Sequence, residues 1–447
     1  MMAAKRRHST GNTTNHLIQE SLAMKPELDL FTNRPLQICI EGGVWNELKP
    51  ISNVRENNPI SFVISGNEDD FLDPVMNLSI RVKIKSNTGA DLPADSPVAL
   101  VNLFGHALFE RVDFKIQDKL ITMEDYPYRA YLERLLSYGP AAKQSQLTSE
   151  AYYRDVAGRF DVMDGTVNEG YATRKALCQQ SNSVSLFVRL STDLANQPRL
   201  LPNLVDVALT LHQKNNSFRL MFPTAAETPR VVIEDISLYY RTVKLSSSMA
   251  SAIAETMRIQ PLRYPVSHVV VKTFQISANT TAVDRENLSR GQLPKAVLVG
   301  VVETDAYIGS GPKSPFNFRQ KSANQICLYR ESEMIPSIPF TPNFKQGDCM
   351  REFLSLFQIT GYLGDDRGNG ISYLDYLNEG YVLYGFDLTP DECGSSCHAA
   401  TTKTGNLSLK MNFNVGGVNE SCMVIVYMVY DNNIYIDNNR NVLLDFA

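Results

Sequence analysis

Hydrophobic and polar residues alternate with a period of two over much of this chain. Successive side chains of a β-strand point to opposite faces, so each such run predicts a strand with one buried face. The alternating runs are Leu78–Ile84, Val112–Ile116, Val205–Leu211 and Leu407–Val415. Shorter β-branched runs are Val231–Ile233, Val269–Val271 and Val297–Val302. The run Cys422–Tyr430 is apolar at both its odd and its even positions, which is typical of a strand covered on both faces.

Clusters of Gly, Pro, Asn and Asp separate these runs, and regular alternation of strands with helices is absent from the sequence. The clusters include Asn87–Gly89, Asp95–Pro97, Gly309–Pro312 and Asp431–Asn433. Many strands divided by such breakers favour antiparallel sandwiches or barrels. The predicted fold class is therefore all-β, with a few short helices in insertions.

Three segments predict helices. In Tyr128–Tyr138 the apolar residues recur at helical spacing, and Gly139 with Pro140 ends the pattern. Weaker helical patterns occur near Ile371–Leu377 and over Ser246–Thr256. We expect the first helix to cover the base or flank of the first sandwich, where apolar strand residues need cover.

The 447 residues are too many for one ordinary core, since domains usually run about 100–200 residues. A Pro-bearing stretch, Ile259–Pro265, follows the helical segment near the middle of the chain and indicates a boundary. We predict a flexible polar arm at 1–26, one jelly roll at 27–245, a connector at 246–265 and a second jelly roll at 266–447. The halves share no close sequence repeat, so any duplication has to be structural.

Charge argues against a surface that grips nucleic acid. Lys and Arg total 43 against 48 Asp and Glu, a formal net charge of -5. Lys5–Arg7 is the basic cluster of the arm, which could touch DNA weakly or be a solvated tail. The seven scattered cysteines are not typical of a disulfide framework, and the N-terminus lacks the apolar stretch of a secretory signal. The sequence thus predicts synthesis inside the cell with reduced thiols and no membrane-spanning segment.

Groups of residues that could carry chemistry can be considered one by one. They are Cys393, Cys397 and His398; the loop Asp365–Gly370; the acids Asp69, Asp70, Glu124 and Asp125; and the histidines His8, His16, His106, His212, His268 and His398. Neighbouring acids on a strand point to opposite faces, which does not suit paired acid–base work. None of the histidines lies in a nucleophile or metal motif, and no phosphate-binding glycine loop occurs.

Two of these groups resemble metal sites incompletely. Cys393, Cys397 and His398 are good zinc ligands, but a structural site usually needs four ligands from two spaced pairs. The loop at Asp365 has Arg367 and Tyr376 where a calcium loop needs an oxygen ligand and a bidentate Glu. We therefore assign no catalytic, cofactor-binding or metal residue, and we expect no cofactor and no enzymatic activity.

Several longer motifs occur in one order along the chain. Upstream they are Val101–Phe104, Leu108–Val112 and Tyr126–Gly139; downstream they are Pro342–Phe357, Gly368–Ile371, Gly380–Asp391 and Ile434–Val442. In this order the chain resembles, from about residue 30 to 447, the hexon-like major capsid proteins of Polinton (Maverick) transposons and adintoviruses. The strings FDLTPD and IDNNRNV carry the most specific part of this resemblance. The arm and the Cys393–His398 loop are not covered by it.

The resemblance implies a double jelly roll, with two eight-stranded sandwiches side by side. It also implies homotrimers of pseudo-hexagonal outline that tile an icosahedral shell around double-stranded DNA, with a penton or minor capsid protein as a further partner. The expected location is the virion capsid, after synthesis in the host cytoplasm and assembly there or in the host nucleus.

Some motif residues can be given structural roles. Phe386, Leu388 and Pro390 are expected to end a strand and turn the chain, because Pro cannot continue a central ladder. Asp437, Arg440 and Asn441 are expected to tie the C-terminal segment through hydrogen bonds and a charge pair.

Two alternatives remain open on the sequence. One is a domesticated, transposon-derived capsid protein that folds but forms no particles. The other is a two-domain carbohydrate-binding or hydrolytic β-sandwich protein, which would need a cleft with convergent acids or aromatics. The single tryptophan, Trp45, is a poor supply for stacking on sugars.

Overall fold

The first half of the chain folds into two facing antiparallel sheets. The computed structural model describes residues 30, 36–223, 228–392, 394–395 and 398–446. The strands of the first half are β1 (Ile40–Leu48), β2 (Ile60–Ile64), β3 (Asp70–Leu72), β4 (Asn77–Lys85), β5 (Ala99–Leu100), β6 (Phe109–Ile116), β7 (Lys119–Met123), β8 (Val184–Arg189), β9 (Val207–Gln213), β10 (Leu220–Met221) and β11 (Arg230–Leu245). One sheet has the order β1-β11-β4-β8, with β3 also pairing β11, and the other has the order β2-β9-β6-β7. The short strands β5 and β10 pair with each other.

Alternation along the strands places one face of each sheet in the core. In β4 the side chains of Leu78, Ile80 and Val82 are buried, while the residues between them point outward. These are the apolar positions from which the strand is predicted, so the core of this sandwich follows from strand geometry.

The second half repeats the arrangement. Its strands are β12 (Leu262–Ile276), β13 (Ala282–Gln292), β14 (Ala296–Glu303), β15 (Ala323–Arg330), β16 (Glu333–Phe340), β17 (Leu383–Asp387), β18 (Thr404–Phe413), β19 (Cys422–Ile436) and β20 (Val442–Leu444). The sheet order is β12-β19-β14-β17, with β20 pairing β19, against β13-β18-β15-β16. Both faces of β14 are buried, as expected for a strand inside a covered sheet.

The two sandwiches have the same topology. When the eight main strands of each half are numbered along the chain, both halves have sheets of order 1-8-3-6 and 2-7-4-5. This is the order of a jelly roll, and it confirms the predicted fold of two eight-stranded antiparallel jelly rolls. The duplication is therefore structural, although the halves share no close sequence repeat.

Helices occur between the strands. They are α1 (Phe104–Ala107), α2 (Tyr126–Ser137), α3 (Pro140–Gln144), α4 (Glu169–Cys178), α5 (Asn216–Arg219), α6 (Ser247–Met257), α7 (Thr304–Ile308), α8 (Met350–Thr360) and α9 (Tyr373–Leu377). Three of them, α2, α6 and α9, are predicted by the sequence. Helices α4 and α8 are not, although Phe353, Leu356 and Phe357 of α8 recur at helical spacing. Within the described ranges, no helix has the length and apolar character needed to cross a bilayer.

The halves are joined through α6. Strand β11 ends at Leu245 and β12 begins at Leu262, so β12 starts inside the predicted connector 246–265. The division into 27–245, 246–265 and 266–447 stays a prediction, and the predicted arm at 1–26 lies outside the described residues. Strand β18 ends at Phe413, so the predicted strand to Val415 is two residues too long, and Val415 is exposed.

Candidate functional site: the junction of the two jelly rolls

Helix α2 lies between the two jelly rolls. It contacts β6 of the first jelly roll, in line with the expected cover of that sandwich, and it also contacts β12 of the second. Its apolar residues are buried, and so are the guanidinium groups of Arg129 and Arg134 on its other faces. A helix that is buried all round has to satisfy its charged groups with partners inside the protein.

An aromatic cluster joins α2 to the second half. The ring of Tyr131 stacks on Phe316 with centroids 4.2 Å apart, and Tyr128 stacks on Tyr307 at 5.6 Å. Phe218 meets Phe316 edge to face at 6.1 Å. Tyr128, Tyr131, Phe218 and Phe316 are buried, so the cluster forms a dry core between the halves.

Asp193 connects both sides of the junction by its carboxylate. Arg129 Nη2 donates to one oxygen at 2.7 Å, and His268 Nδ1 lies 2.6 Å from the other. The backbone N–H of Val269 in β12 also donates to the first oxygen, at 3.3 Å. Burial would raise the pKa of Asp193, but the charge of Arg129 and the hydrogen bond with His268 outweigh it, so the pKa is lowered.

A second buried charge cluster positions α2 within the first jelly roll. Arg134 Nε donates to Glu150 Oε2 at 3.0 Å, and His106 Nε2 lies 3.1 Å from the same oxygen. The other ring nitrogen of His106 lies 3.0 Å from the Tyr126 hydroxyl. Burial would raise the pKa of Glu150, but His106 and Arg134 lower it to about 2.

Ion pairs also link the insertion between β7 and β8 to the second jelly roll. Arg319 donates to Asp161 at 2.8 Å and to Glu303 at 3.0 Å. Lys321 and Lys313 lie 2.7 Å and 2.9 Å from Glu303. Burial opposes ionisation of Glu303, yet these lysines lower its pKa to about 2. Asp161 of the first half and Glu303 of the second thus share the Arg319 guanidinium across the junction.

The ammonium group of Lys143 bridges the halves without a carboxylate partner in its hydrogen bonds. It donates to the backbone oxygen of Leu135 in the last turn of α2 at 2.5 Å, and to that of Asn369 at 2.6 Å. Burial lowers the pKa of Lys143 to about 7. A cation near the end of α2 suits the free carbonyls of a helix C-terminus.

A glycine allows the backbones of the two halves to approach closely. Gly380 has a φ of +93°, and a Cβ at this position would lie 2.1 Å from Cε2 of Phe160. The next residue, Tyr381, donates its hydroxyl to the backbone oxygen of Asp155 at 2.6 Å. A side chain at position 380 would therefore push the first half away from the second.

The C-terminal motif has a different partner from the one expected. Asp437 accepts hydrogen bonds from the backbone and side chain of Asn441, at 2.9 and 2.8 Å, as predicted. Arg440 makes no ion pair with Asp437, although both are described. Its guanidinium donates to the backbone and side-chain oxygens of Asn203, at 2.8 and 2.6 Å. The predicted charge pair is wrong because the first jelly roll offers two well-placed acceptors.

The strand end at the FDLTPD motif has the expected form. Strand β17 ends at Asp387, and the buried side chains of Phe386 and Leu388 hold the segment in the core. Pro390 lies in the turn that follows.

The structure distributes the other candidate residues over separate places. Asp125 accepts from the Tyr307 hydroxyl at 2.8 Å, and burial raises the pKa of its carboxyl. His212 lies 2.9 Å from Asp113. The backbone N–H of Asp70 donates to Asn67 Oδ1 at 2.7 Å, and the Asp70 carboxylate accepts from Asn67 Nδ2 at 2.8 Å. These contacts are local or belong to the junction, and they assemble no common site.

Of the two metal-like motifs, only the loop Asp365–Gly370 lies wholly within the described residues. His398 Nε2 lies 2.9 Å from Asp391 Oδ2, whereas Cys393 and Cys397 lie outside the described residues, as do His8 and His16. Asp365 accepts from Arg367 at 2.6 Å. Among the residues that the structure describes, no group of three or more His, Cys, Asp or Glu is placed to hold a metal ion.

Sequence reasoning missed the residues that build the junction. Arg129 and Arg134 lie on a helix whose other residues are apolar apart from Glu133 and Ser137, which indicates buried charge. Asp193 and Asp161 lie in turns and Glu150 ends a short 3-10 helix, and no local pattern marks them.

Two jelly rolls of identical strand order in one chain, held by a large junction, define the double jelly-roll class of proteins. Solved structures with this fold include a chain of the Sputnik virophage structure, with a TM-score of 0.66 and 12% identity, covering 96% of this chain and 93% of that one. The mavirus major capsid protein gives a TM-score of 0.57 at 12% identity, with 97% of each chain covered. The Faustovirus major capsid protein gives 0.56 at 9% identity, covering 90% of this chain and 92% of that chain.

In sequence the chain is similar to the uncharacterized protein F54H12.2 of Caenorhabditis elegans. The two are 24% identical over 425 residues, which cover 92% of this chain and 98% of the relative. No protein-family model matches the chain.

Proposed function

We propose that this chain is the major capsid protein of a virus or virus-like transposon, of the Polinton or adintovirus kind. The observation that carries the proposal is the duplicated jelly roll, with the same strand order in both halves and one buried junction between them. Two of the solved structures that share the fold, from mavirus and Faustovirus, are major capsid proteins.

The junction suits a building block of fixed shape. The pairs His268–Asp193 and Arg319–Asp161 and the stack of Tyr131 on Phe316 each join one half to the other. They hold the jelly rolls in one mutual orientation, because a shift of the halves would separate their partners. A two-lobed subunit repeated three times by cyclic symmetry gives a ring of six similar lobes. Such a ring is the pseudo-hexagonal capsomer that can tile an icosahedral shell.

The proposed role is structural rather than catalytic. The partners are further copies of the chain, first within a trimer and then between trimers, together with a penton or minor capsid protein. Contact with the enclosed double-stranded DNA is weak and involves the basic residues of the N-terminal arm. The proposed location is the virion capsid, after synthesis in the host cytoplasm and assembly there or in the nucleus.

The first experiment measures the oligomeric state of the purified full-length chain. Size-exclusion chromatography with light scattering should show a trimer that persists on dilution, since obligate interfaces bury more than about 2,000 Å². A folded protein that stays monomeric over the whole concentration range would overturn the proposal.

The second experiment looks for shells. Electron microscopy of the chain expressed with candidate minor capsid proteins should show icosahedral particles, and nuclease treatment should leave double-stranded DNA inside them. Trimers without particles under all conditions would support the domesticated, non-assembling form instead. Binding to a defined glycan on an array, without trimers, would favour the carbohydrate-binding alternative.

A further inference from the structure

The junction inside the chain joins defined strands of the two jelly rolls, when the strands of each are numbered from one to eight. The fifth strand of the first jelly roll, β7, contacts the first strand of the second, β12. The helix that follows this fifth strand, α2, covers the outer face of the β12-β19-β14-β17 sheet. On that face, Leu298 and Tyr427 line one cavity together with Leu132 of α2.

The register of the sheet shows that this is its outer face. Tyr427 and Val429 alternate with Met428 and Tyr430 along β19. Tyr430 points to the other sheet, where its hydroxyl meets Ser289 Oγ at 3.0 Å. The side chains that meet α2 are therefore on the side away from the core of the second jelly roll.

Among the residues that the structure describes, nothing covers the corresponding face of the first jelly roll. The first strand of the first jelly roll, β1, is exposed along most of its length, and its Trp45 is 55% exposed. Trp45 and Phe187 lie on the outer face of the β1-β11-β4-β8 sheet, as the pairing register shows, and Phe187 is 46% exposed. The apolar rings on this face are therefore exposed to solvent, whereas the same face of the second jelly roll is covered by helix α2.

The elements that could cover this face lie on the second jelly roll. Its fifth strand, β16, carries Ile338, which is 68% exposed, and the helix that follows, α8, carries Met350 and Leu354 on its exposed side. These are the positional equivalents of β7 and α2. Each chain thus has an uncovered sheet face on its first jelly roll. On its second jelly roll it has a strand and a helix equivalent to those that cover such a face inside the chain.

We infer that a second copy of this chain fills the gap, with its β16 and α8 against β1 and the outer face around Trp45 and Phe187. The inference rests on the proposed trimer and names its interface. The contact uses two different surfaces of the same chain, so it is heterologous and can close into a ring. Around that ring, junctions within chains alternate with similar junctions between chains.

Cross-linking tests the proximity of the two surfaces. The parent variant carries Cys39→Ser, Cys393→Ser and Cys397→Ser, while the cysteines that are buried in the structure are kept. The double variant with Trp45→Cys and Ile338→Cys, treated with a short bismaleimide, should give covalent dimers and trimers on a denaturing gel.

Matched controls separate this contact from random collision. Each single cysteine variant should stay monomeric on the gel, because one link needs both positions. A pair of Trp45→Cys and Val415→Cys should also stay unlinked, since Val415 is fully exposed but lies outside β16 and α8.

Charge substitution tests the energetics. Phe187→Glu and Leu354→Glu should each raise the trimer dissociation constant at least tenfold, whereas Val415→Glu should leave it unchanged. Phe187 and Leu354 are exposed in the single chain, so the thermal midpoint of the dissociated subunit should not change.

The outcomes distinguish the inference from the proposed function. A stable trimer in which the double cysteine variant does not cross-link and neither glutamate weakens assembly would overturn the inference and leave the trimer intact. A wild-type chain that never trimerises would overturn both. Cross-linked trimers that both glutamates weaken would support both.

Discussion

Tyr131 allows the packing of the junction to be tested with two substitutions at one position. Its ring is buried and stacked on Phe316, while its hydroxyl has no hydrogen-bond partner among the described residues. Tyr131→Ala removes the ring and leaves a cavity, which costs about 3–5 kcal/mol of unfolding free energy for a large buried aromatic. Tyr131→Phe removes only the hydroxyl, and we expect a change within about 1 kcal/mol, because no protein partner is lost.

Calorimetry and urea unfolding can measure both changes. For a chain of 447 residues, the unfolding entropy is about 0.9 kcal/mol/K, so a loss of about 4 kcal/mol lowers the midpoint by about 4 °C. The Phe variant should unfold within about 1 °C of the wild type. A Phe variant as unstable as the Ala variant would show that the hydroxyl is the important group. An Ala variant within about 1 kcal/mol of wild type would show that the junction is not a packed core.

Three further predictions concern the charges and the backbone of the junction. Asp193→Asn should lower the free energy of unfolding by about 3–5 kcal/mol in urea titrations, because it leaves the Arg129 guanidinium buried without a counter-charge; a change below about 1 kcal/mol would contradict this. Glu150→Gln should cost a similar amount at neutral pH. The folded pKa of Glu150, about 2, lies below its ordinary value of 4.5, so its stabilising effect is present above pH 4.5 and lost as the pH falls toward 2. The difference in unfolding free energy between wild type and Glu150→Gln should therefore shrink as the pH falls from 4.5 toward 2. A difference that does not depend on pH would refute the ion-pair role of Glu150. Gly380→Ala should destabilise the chain by more than about 2 kcal/mol, because of its positive φ and the clash with Phe160, whereas Gly89→Ala, also at positive φ but with open space around it, should cost less in the same thermal assay.

The sequence alone determined several of the strands and the class of fold. The alternation in Leu78–Ile84 predicts β4 with its buried face, because strand geometry sets a period of two whatever the neighbours are. The apolar stripe of Tyr128–Tyr138 likewise predicts α2 within two residues of its observed bounds. The order of the downstream motifs indicated the second jelly roll.

Only the tertiary structure decided how the halves meet. Asp193 finds His268 across 75 residues of sequence, and Arg440 finds Asn203 across 237. No local period connects such residues, since each pair depends on how whole sheets pack. Hydrophobic periodicity reports which face of an element leaves water, but not which distant surface covers it, and for this reason the place of α2 between two jelly rolls appears only in the folded chain.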